Sequence, residues 1–410
     1  MRFILLCAFM AGGFAAVLMP AIASEPAPSG LNWRGLEIRP ELTLGGRYDS
    51  NIFAADQDEE SDFVYVVRPS LRVERSSGNL DINLLGEAEV REYQDNSSEN
   101  ALDIRLKLDG VYKPNASWQV PFGLRLSREA RERGTPQLED LTEDITDEDE
   151  IYAYLGLTHQ MNRLSIGVRG WAAHLSFEDG VSRATTAQPV IFSDQDRDLY
   201  GGAVRLSYDI SRDRDGRPAL EVFTSLSAEQ QNFDRRSWEG SGFTGRIQDR
   251  QEYGALVGLG GHYKGLLSGR VAAGALRQEF DESGRDSINT YDLEADIKYQ
   301  LRRNAALFFE AGRSVNPEDI IESNYALGLA YSPRRNLRLD GRLSLDEFDF
   351  RETSQDGRED TDYGGSMTLT YDLNRNLSAE AMIGYNWRES NRIASEFDRT
   401  VIGLFLIGKL

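Results

Sequence analysis

Residues 290–304, TYDLEADIKYQLRRN, place Asp292, Glu294, Asp296 and Lys298 at every second position. Tyr291, Leu293, Ala295, Ile297, Tyr299 and Leu301 fall between and beyond them. Successive side chains of a strand point to opposite faces, so this stretch has one apolar face and one that needs water. The pattern recurs. Residues 102–112 set Leu102, Ile104, Leu106, Leu108 and Tyr112 against Asp103, Arg105, Lys107 and Asp109. In 337–346, Leu337, Leu339, Leu343 and Leu345 oppose Arg338, Asp340, Arg342 and Asp346, and in 63–74 the apolar set Phe63, Tyr65, Val67, Leu71 and Val73 opposes Arg68, Ser70, Arg72 and Glu74. No helical period is sustained, and strands do not alternate with helices.

Eighteen such segments can be drawn between residues 36 and 410. Tight turns follow the even segments, as at Ser76–Asn79, Lys113–Ala116 and Arg302–Asn304. Mostly longer polar loops follow the odd ones, as at 54–61, 131–150, 178–197 and 234–249. An even strand count with short turns at one end and long loops at the other is the layout of an outer-membrane β-barrel. Lipid offers no hydrogen bonds to an open sheet edge, so such a sheet must close. The expected fold is therefore all-β: a single transmembrane antiparallel up-and-down barrel of about 18 strands, with short periplasmic turns and long extracellular loops. A soluble sandwich would need a second sheet over each apolar face and seldom has strands this long. The mean hydropathy of −0.48 does not oppose a membrane, because window averages cancel the alternation.

The formal charge of −21, from 67 acidic and 46 basic residues, argues against nucleic acid. At the start, Arg2 precedes the apolar run Phe3–Met19, then Pro20 and the small-residue site Ala21-Ile22-Ala23. This reads as a secretory signal peptide cleaved after Ala23; the alternative, an uncleaved anchor, is disfavoured by Pro20 and the A-x-A site. The expected organisation is a signal peptide over 1–23, a short periplasmic segment over 24–35 and the barrel over 36–410. Cys7 is the only cysteine and leaves with the signal, so disulfides and thiolate chemistry are excluded from the mature chain.

Tyrosines recur on the apolar face near both strand ends: Tyr200 with Tyr208, Tyr253 with Tyr263, Tyr291 with Tyr299, Tyr325 with Tyr331, and Tyr363 with Tyr371. Eight residues of a tilted strand climb about 20 Å, close to the ~25 Å apolar band of such barrels, and aromatic girdles mark its two interfaces. In the final TVIGLFLIGKL, Ile402, Leu404, Leu406 and Leu410 share a face. That resembles the closing-strand signal read by the barrel-assembly machinery, with Leu410 and Gly408 replacing its usual aromatics.

With the apolar face toward lipid, the charged face lines the lumen. Candidate path residues are Arg68, Arg72, Arg105, Lys107, Arg125, Arg205, Asp292, Glu294, Arg338 and Arg342. Their mixed signs suit a wet bore for a polar solute, or else brace the wall. Inward aromatics such as Tyr93, Trp171, Phe223, Phe308 and Phe405 could stack on sugar rings. His174 and Ser176 share a face and resemble the dyad of outer-membrane phospholipases, but they fall on the lipid-facing parity and no third group is evident. His159 and His262 lie at strand ends without a ligand partner at metal spacing. Glu139–Glu150, EDLTEDITDEDE, lacks the glycine and spacing of a calcium loop and reads as a solvated surface loop. No catalytic group, metal or cofactor is expected.

GGRYDSNIF, Gly45–Phe53, ends the first long segment. Through Tyr48, Asp49, Asn51, Ile52 and Phe53, and through the barrel layout, the chain resembles a family of outer-membrane β-barrel porins often associated with exopolysaccharide or capsule gene clusters. The resemblance implies a channel carrying a polymer across the outer membrane of a Gram-negative bacterium, set in lipid and lipopolysaccharide and served by a periplasmic polysaccharide-export protein. The alternatives are a general diffusion porin for small solutes and, in another class, an outer-membrane lipid-modifying enzyme. With no plug domain ahead of residue 36, a TonB-dependent transporter is not expected.

Overall fold

The computed structural model describes residues 30–135, 142–183, 188–213, 216, 218–238, 242, 245–315, 320–350 and 357–410. The expected signal peptide, Cys7 and the acidic residues Glu139 and Asp140 lie outside the described residues.

Eighteen strands run in chain order: β1 Leu36–Asp49, β2 Asp62–Ser77, β3 Leu80–Tyr93, β4 Ala101–Asn115, β5 Trp118–Ala130 and β6 Asp147–Met161. They continue as β7 Leu164–Phe177, β8 Arg197–Arg212, β9 Pro218–Phe233, β10 Arg250–Tyr263, β11 Leu267–Phe280 and β12 Ile288–Arg302. The last six are β13 Ala305–Val315, β14 Ile321–Arg334, β15 Leu337–Asp349, β16 Glu359–Asn374, β17 Leu377–Ser390 and β18 Phe397–Lys409. Each pairs antiparallel with its sequence neighbours. β18 returns to β1 in register from Glu41↔Lys409 to Asp49↔Val401, which closes the barrel.

The period-two alternation is what closure makes useful. Outward positions carry exposed apolar side chains, among them Leu404 at 68%, Leu343 at 63% and Leu155 at 62%. Inward positions carry buried charge, such as Asp49, Arg91, Asp103 and Asp360. A water-soluble protein arranges these the other way, so the outer wall is built for hydrocarbon. Cross-strand rows hold the alternation in register: Leu106 faces Leu126, while Arg105 faces Ser127 and Lys107 faces Arg125.

Three details depart from the expected layout. Within the expected short N-terminal segment, Leu31–Trp33 forms a short strand folded back on β1 with Leu31 opposite Ile38. The loop over 178–197 contains a small hairpin, Gly180–Val181 against Pro189–Val190. The acidic stretch ending at Glu150 is not all solvated loop, because β6 begins at Asp147 and Glu150 is only 5% exposed on the inward face. Its pairing with Arg125 offsets the cost of burying that carboxylate.

The face assignment makes Leu106→Arg, at mid-strand on the lipid side, destabilising by about 2–4 kcal/mol, with Arg105→Leu next to it far milder. Heat-modifiable gel mobility of the two refolded variants measures the difference, and equal effects would contradict the assignment.

Candidate functional site

All ten candidate path residues alternate onto the inward face. Most are tied across strands. Arg68 meets Glu89 at 2.5 Å, Arg105 meets Glu129 at 2.7 Å and Glu87 at 3.2 Å, and Arg342 meets Glu310 at 2.8 Å. Arg125 pairs with Glu150 at 3.4 Å, Arg205 with Glu221 at 3.2 Å, Arg338 with Asp340 at 2.6 Å and Glu294 with Arg270 at 3.6 Å. Arg72 reaches only 4.0 Å from Glu74, and Asp292 is buried against the wall. Much of the inward charge therefore braces the barrel. Arg105 and Lys107, with 40% and 45% of their side chains exposed, present charge to the lumen as well.

The inward aromatics do not stand free. An added Cβ on Gly201 would lie 2.2 Å from the Trp171 ring, one on Gly258 2.5 Å from Phe223, and one on Gly45 2.5 Å from Phe405. These rings lie flat on the neighbouring strand because glycine leaves room there, so they support the wall. Phe223 is also covered by Arg205, whose Cζ lies 3.7 Å from the ring centroid, and Trp171 Nε1 donates to Glu229 at 2.7 Å. Tyr93 is buried with Ile52 and Phe53, and Phe308 packs on Ala306 and Ala330. The expectation of free sugar-stacking faces is thereby corrected for these five. Tyr152 and Tyr154, absent from the sequence candidates, line a recess with Lys107, Asp109, Arg125 and Arg169. Their inward placement could have been read from IYAYLGL, where Ile151, Leu155 and Leu157 take the lipid side.

The ten girdle tyrosines take the outward face, most of them exposed: Tyr200, Tyr208, Tyr253, Tyr263, Tyr291, Tyr299, Tyr331 and Tyr371. Tyr325 and Tyr363 are half-buried, and Tyr363 stacks on Trp387 with centroids 4.7 Å apart.

At the long-loop end the chain turns inward. After β1, Ile52 and Phe53 descend onto the inward residues Val64, Val66, Tyr93 and Phe405. Asn51, fully buried, donates to the carbonyls of Ala55 and Asp398 and accepts from the Ala55 N–H. Asp49, also fully buried, holds the Arg399 guanidinium across the β1–β18 seam, with Nε 2.9 Å from Oδ1. GGRYDSNIF thus fastens the closing seam, and its Ile52 and Phe53 pack onto the inward wall at the long-loop end.

Neighbouring loops are tied to one another above this turn. Asp62 accepts the N–H groups of Asp95 and Asn96, and Glu99 makes a two-pronged pair with Arg133 at 2.9 and 2.7 Å. Arg133 continues to Thr142, and Glu143 donates to the Val181 carbonyl of the small hairpin. From there Arg183 reaches Glu60 at 3.0 Å and lies over Phe53, 3.6 Å from the centroid. Asp194 in turn accepts the Trp238 N–H at 2.9 Å. β7 stands six strands from β1, roughly 30 Å around the ring at about 4.8 Å per strand. This chain of contacts spans that arc.

Outside the lumen, His174 gains the partner that the sequence did not reveal: Nδ1 lies 2.9 Å from Asp198 Oδ1 on β8. Among the described residues, no hydrogen bond joins His174 to Ser176, so a nucleophile–base pair is not assembled. His159 stacks on Trp118, and His262 Nε2 pairs with Asp213. No group of three or more metal-ligating side chains is found among the described residues.

Comparison with protein families matches residues 26–409 to the family described as "Putative beta-barrel porin 2". The chain belongs to this family. Its architecture and its family are those of an outer-membrane channel. No match is found among curated proteins. Among solved structures, the chain is similar to OccK2 (OpdF) of Pseudomonas aeruginosa, at 10% identity and a TM-score of 0.45, covering 91% of this porin and 98% of that chain. It is also similar to the ferric-catecholate import receptor Fiu of E. coli K12, at 10% identity and 0.45, covering 93% and 82%. The ferric citrate transporter FecA matches at 13% identity and 0.42, covering 90% and 61%.

Removing one partner of the buried seam pair leaves the other charge unpaired. Asp49→Ala is expected to cost about 3–5 kcal/mol and to be partly rescued by adding Arg399→Leu. Urea unfolding in detergent measures both, and an Asp49→Ala barrel of unchanged stability would contradict the seam's role. In the cap, burial pushes the carboxyls of Asp194 and Asp196 above their ordinary range. A raised folded-state value means the closed cap binds protons more tightly than free loops, so its stability is greatest below pH ~4 and falls as pH rises through the raised values. Amide exchange over 192–196, corrected for intrinsic rates, is expected to be slower at pH 4 than at pH 7. Faster exchange at pH 4 would contradict this.

Proposed function

We propose that this porin exports an exopolysaccharide or similar polar polymer across the outer membrane and stays shut between transport events. The cross-linked cap carries the reading. Ile52 and Phe53 fold inward at the long-loop end under Arg183, and the neighbouring loops are tied to one another through Glu99–Arg133 and, further round, through Asp194 and Trp238. A barrel wide enough for a polymer would leak small solutes if it stood open, so an export channel needs such a seal, whereas a diffusion porin does not. Below these loops, half-exposed Arg105 and Lys107, paired with Glu129 and Asp109 on an ion-paired wall, offer a hydrated surface that holds a polar chain loosely. The same mixed-sign wall also suits small polar solutes, which is the observation favouring a general diffusion porin as the second reading.

Secretion through an N-terminal signal and a periplasmic export partner belong to the same proposal, supported by the run Arg2–Ala23 and by the chain's resemblance. In planar bilayers the intact barrel is expected to show low resting conductance that rises when residues 180–190 are excised. In cells, deleting the gene is expected to leave polymer synthesis intact while removing polymer from the surface. Unchanged surface polymer together with free conduction by the intact barrel would favour the diffusion porin.

A further inference from the structure

We propose that the short-turn rim of the barrel is a binding belt for phospholipids with anionic headgroups. Three consecutive hairpins repeat one arrangement: Tyr299 precedes Arg302 and Arg303, Tyr331 precedes Arg334 and Arg335, and Tyr371 precedes Arg375. The tyrosines face outward at the lower edge of the apolar band, 45%, 38% and 43% exposed, beside exposed Leu301 and Leu373. Register places them along one edge: Tyr299 opposes Leu307, Tyr331 opposes Leu339 and Tyr371 opposes Leu337.

The five arginines are all exposed and, among the described residues, none is held by a carboxylate. Elsewhere on this rim Lys113 pairs with Asp81 at 2.6 Å and Arg212 with Asp209 at 2.5 Å, whereas Lys264 lies over the Tyr263 ring, 5.1 Å from its centroid. On these three hairpins the exposed arginines stand behind a row of tyrosines at the membrane edge. At the opposite rim the outward positions carry both signs, the carboxylates Asp149, Asp198, Glu347 and Glu389 beside Arg128, Arg277 and Arg313.

Position decides the occupant. Each guanidinium lies three or four residues beyond an interfacial tyrosine, about 10 Å along the strand direction, which is the depth of lipid phosphates. Arginine's planar fork fits a phosphate in two-pronged fashion, and each basic side chain near an anionic membrane surface adds attraction. A soluble acidic partner would need the guanidiniums alone, not a tyrosine on the same hairpin at membrane depth.

The test compares the full barrel with R302Q/R303Q/R334Q/R335Q/R375Q in nanodiscs of equal phosphatidylglycerol and phosphatidylcholine, with retained lipids read by native mass spectrometry. Wild type is expected to retain phosphatidylglycerol preferentially by about fivefold, the equivalent of about 1 kcal/mol. The variant, with unchanged heat-modifiable mobility, should fall toward parity, and raised salt should weaken the wild-type preference. Should the variant misfold, the pairwise changes R302Q/R303Q and R334Q/R335Q are each expected to lower the preference partway. No preference in wild type, or a preference that survives the substitutions, overturns the proposal. Arginine-dependent binding of soluble polyglutamate, with lipid selectivity unaffected by the substitutions, overturns it in favour of an acidic polypeptide partner.

Discussion

The hydrogen-bonded seam between β1 and β18 is the contact on which the rest of the molecule depends. In hydrocarbon an open edge would leave a row of peptide groups without partners, each costing several kcal/mol. The register from Glu41↔Lys409 to Asp49↔Val401 removes that edge. Once the ring is closed, alternation assigns every side chain to lipid or lumen, and the loops acquire a shared mouth to cover. Asp49 and Arg399 fasten the upper end of this seam, and Asn51 continues the fastening into the first loop.

Charge inside the barrel performs two tasks that share the same residues. Pairs such as Arg68–Glu89 and Arg342–Glu310 join different strands, so they stiffen the wall as well as hydrate it. A guanidinium partly spent on a carboxylate attracts a passing anion less than a free one would. The lumen is accordingly suited to passage more than to capture, in keeping with a channel. Aromatic rings seated on glycines serve the wall in the same sense, filling grooves where the neighbouring strand has no side chain.

The wall was legible in the sequence because the lipid boundary imposes a strict period on it. Tyr291, Leu293 and Tyr299 against Asp292, Glu294 and Lys298 need no tertiary information to be read. The mouth was less legible. Nothing periodic marks Ile52 and Phe53 as inward-folded, and Asp49 finds Arg399 only after the ring has closed. The His174–Asp198 contact was hidden for the same reason: it depends on the register between β7 and β8, which local patterns do not fix. Glu150 reads as loop because an acidic run outweighs, in sequence, the half-buried Arg125 that receives it.

The inward-folded turn after β1 has a kinetic consequence. Its contacts join opposite ends of the chain: Ile52 and Phe53 from the first hairpin, Phe405 and the Asp398 carbonyl from the last strand. Asn51 and Asp398 are separated by 347 positions. Contacts of such long range form late, after the chain entropy of the intervening loop has been lost. These contacts therefore cannot form on a partly zipped barrel, and their presence reports that the final strand has arrived.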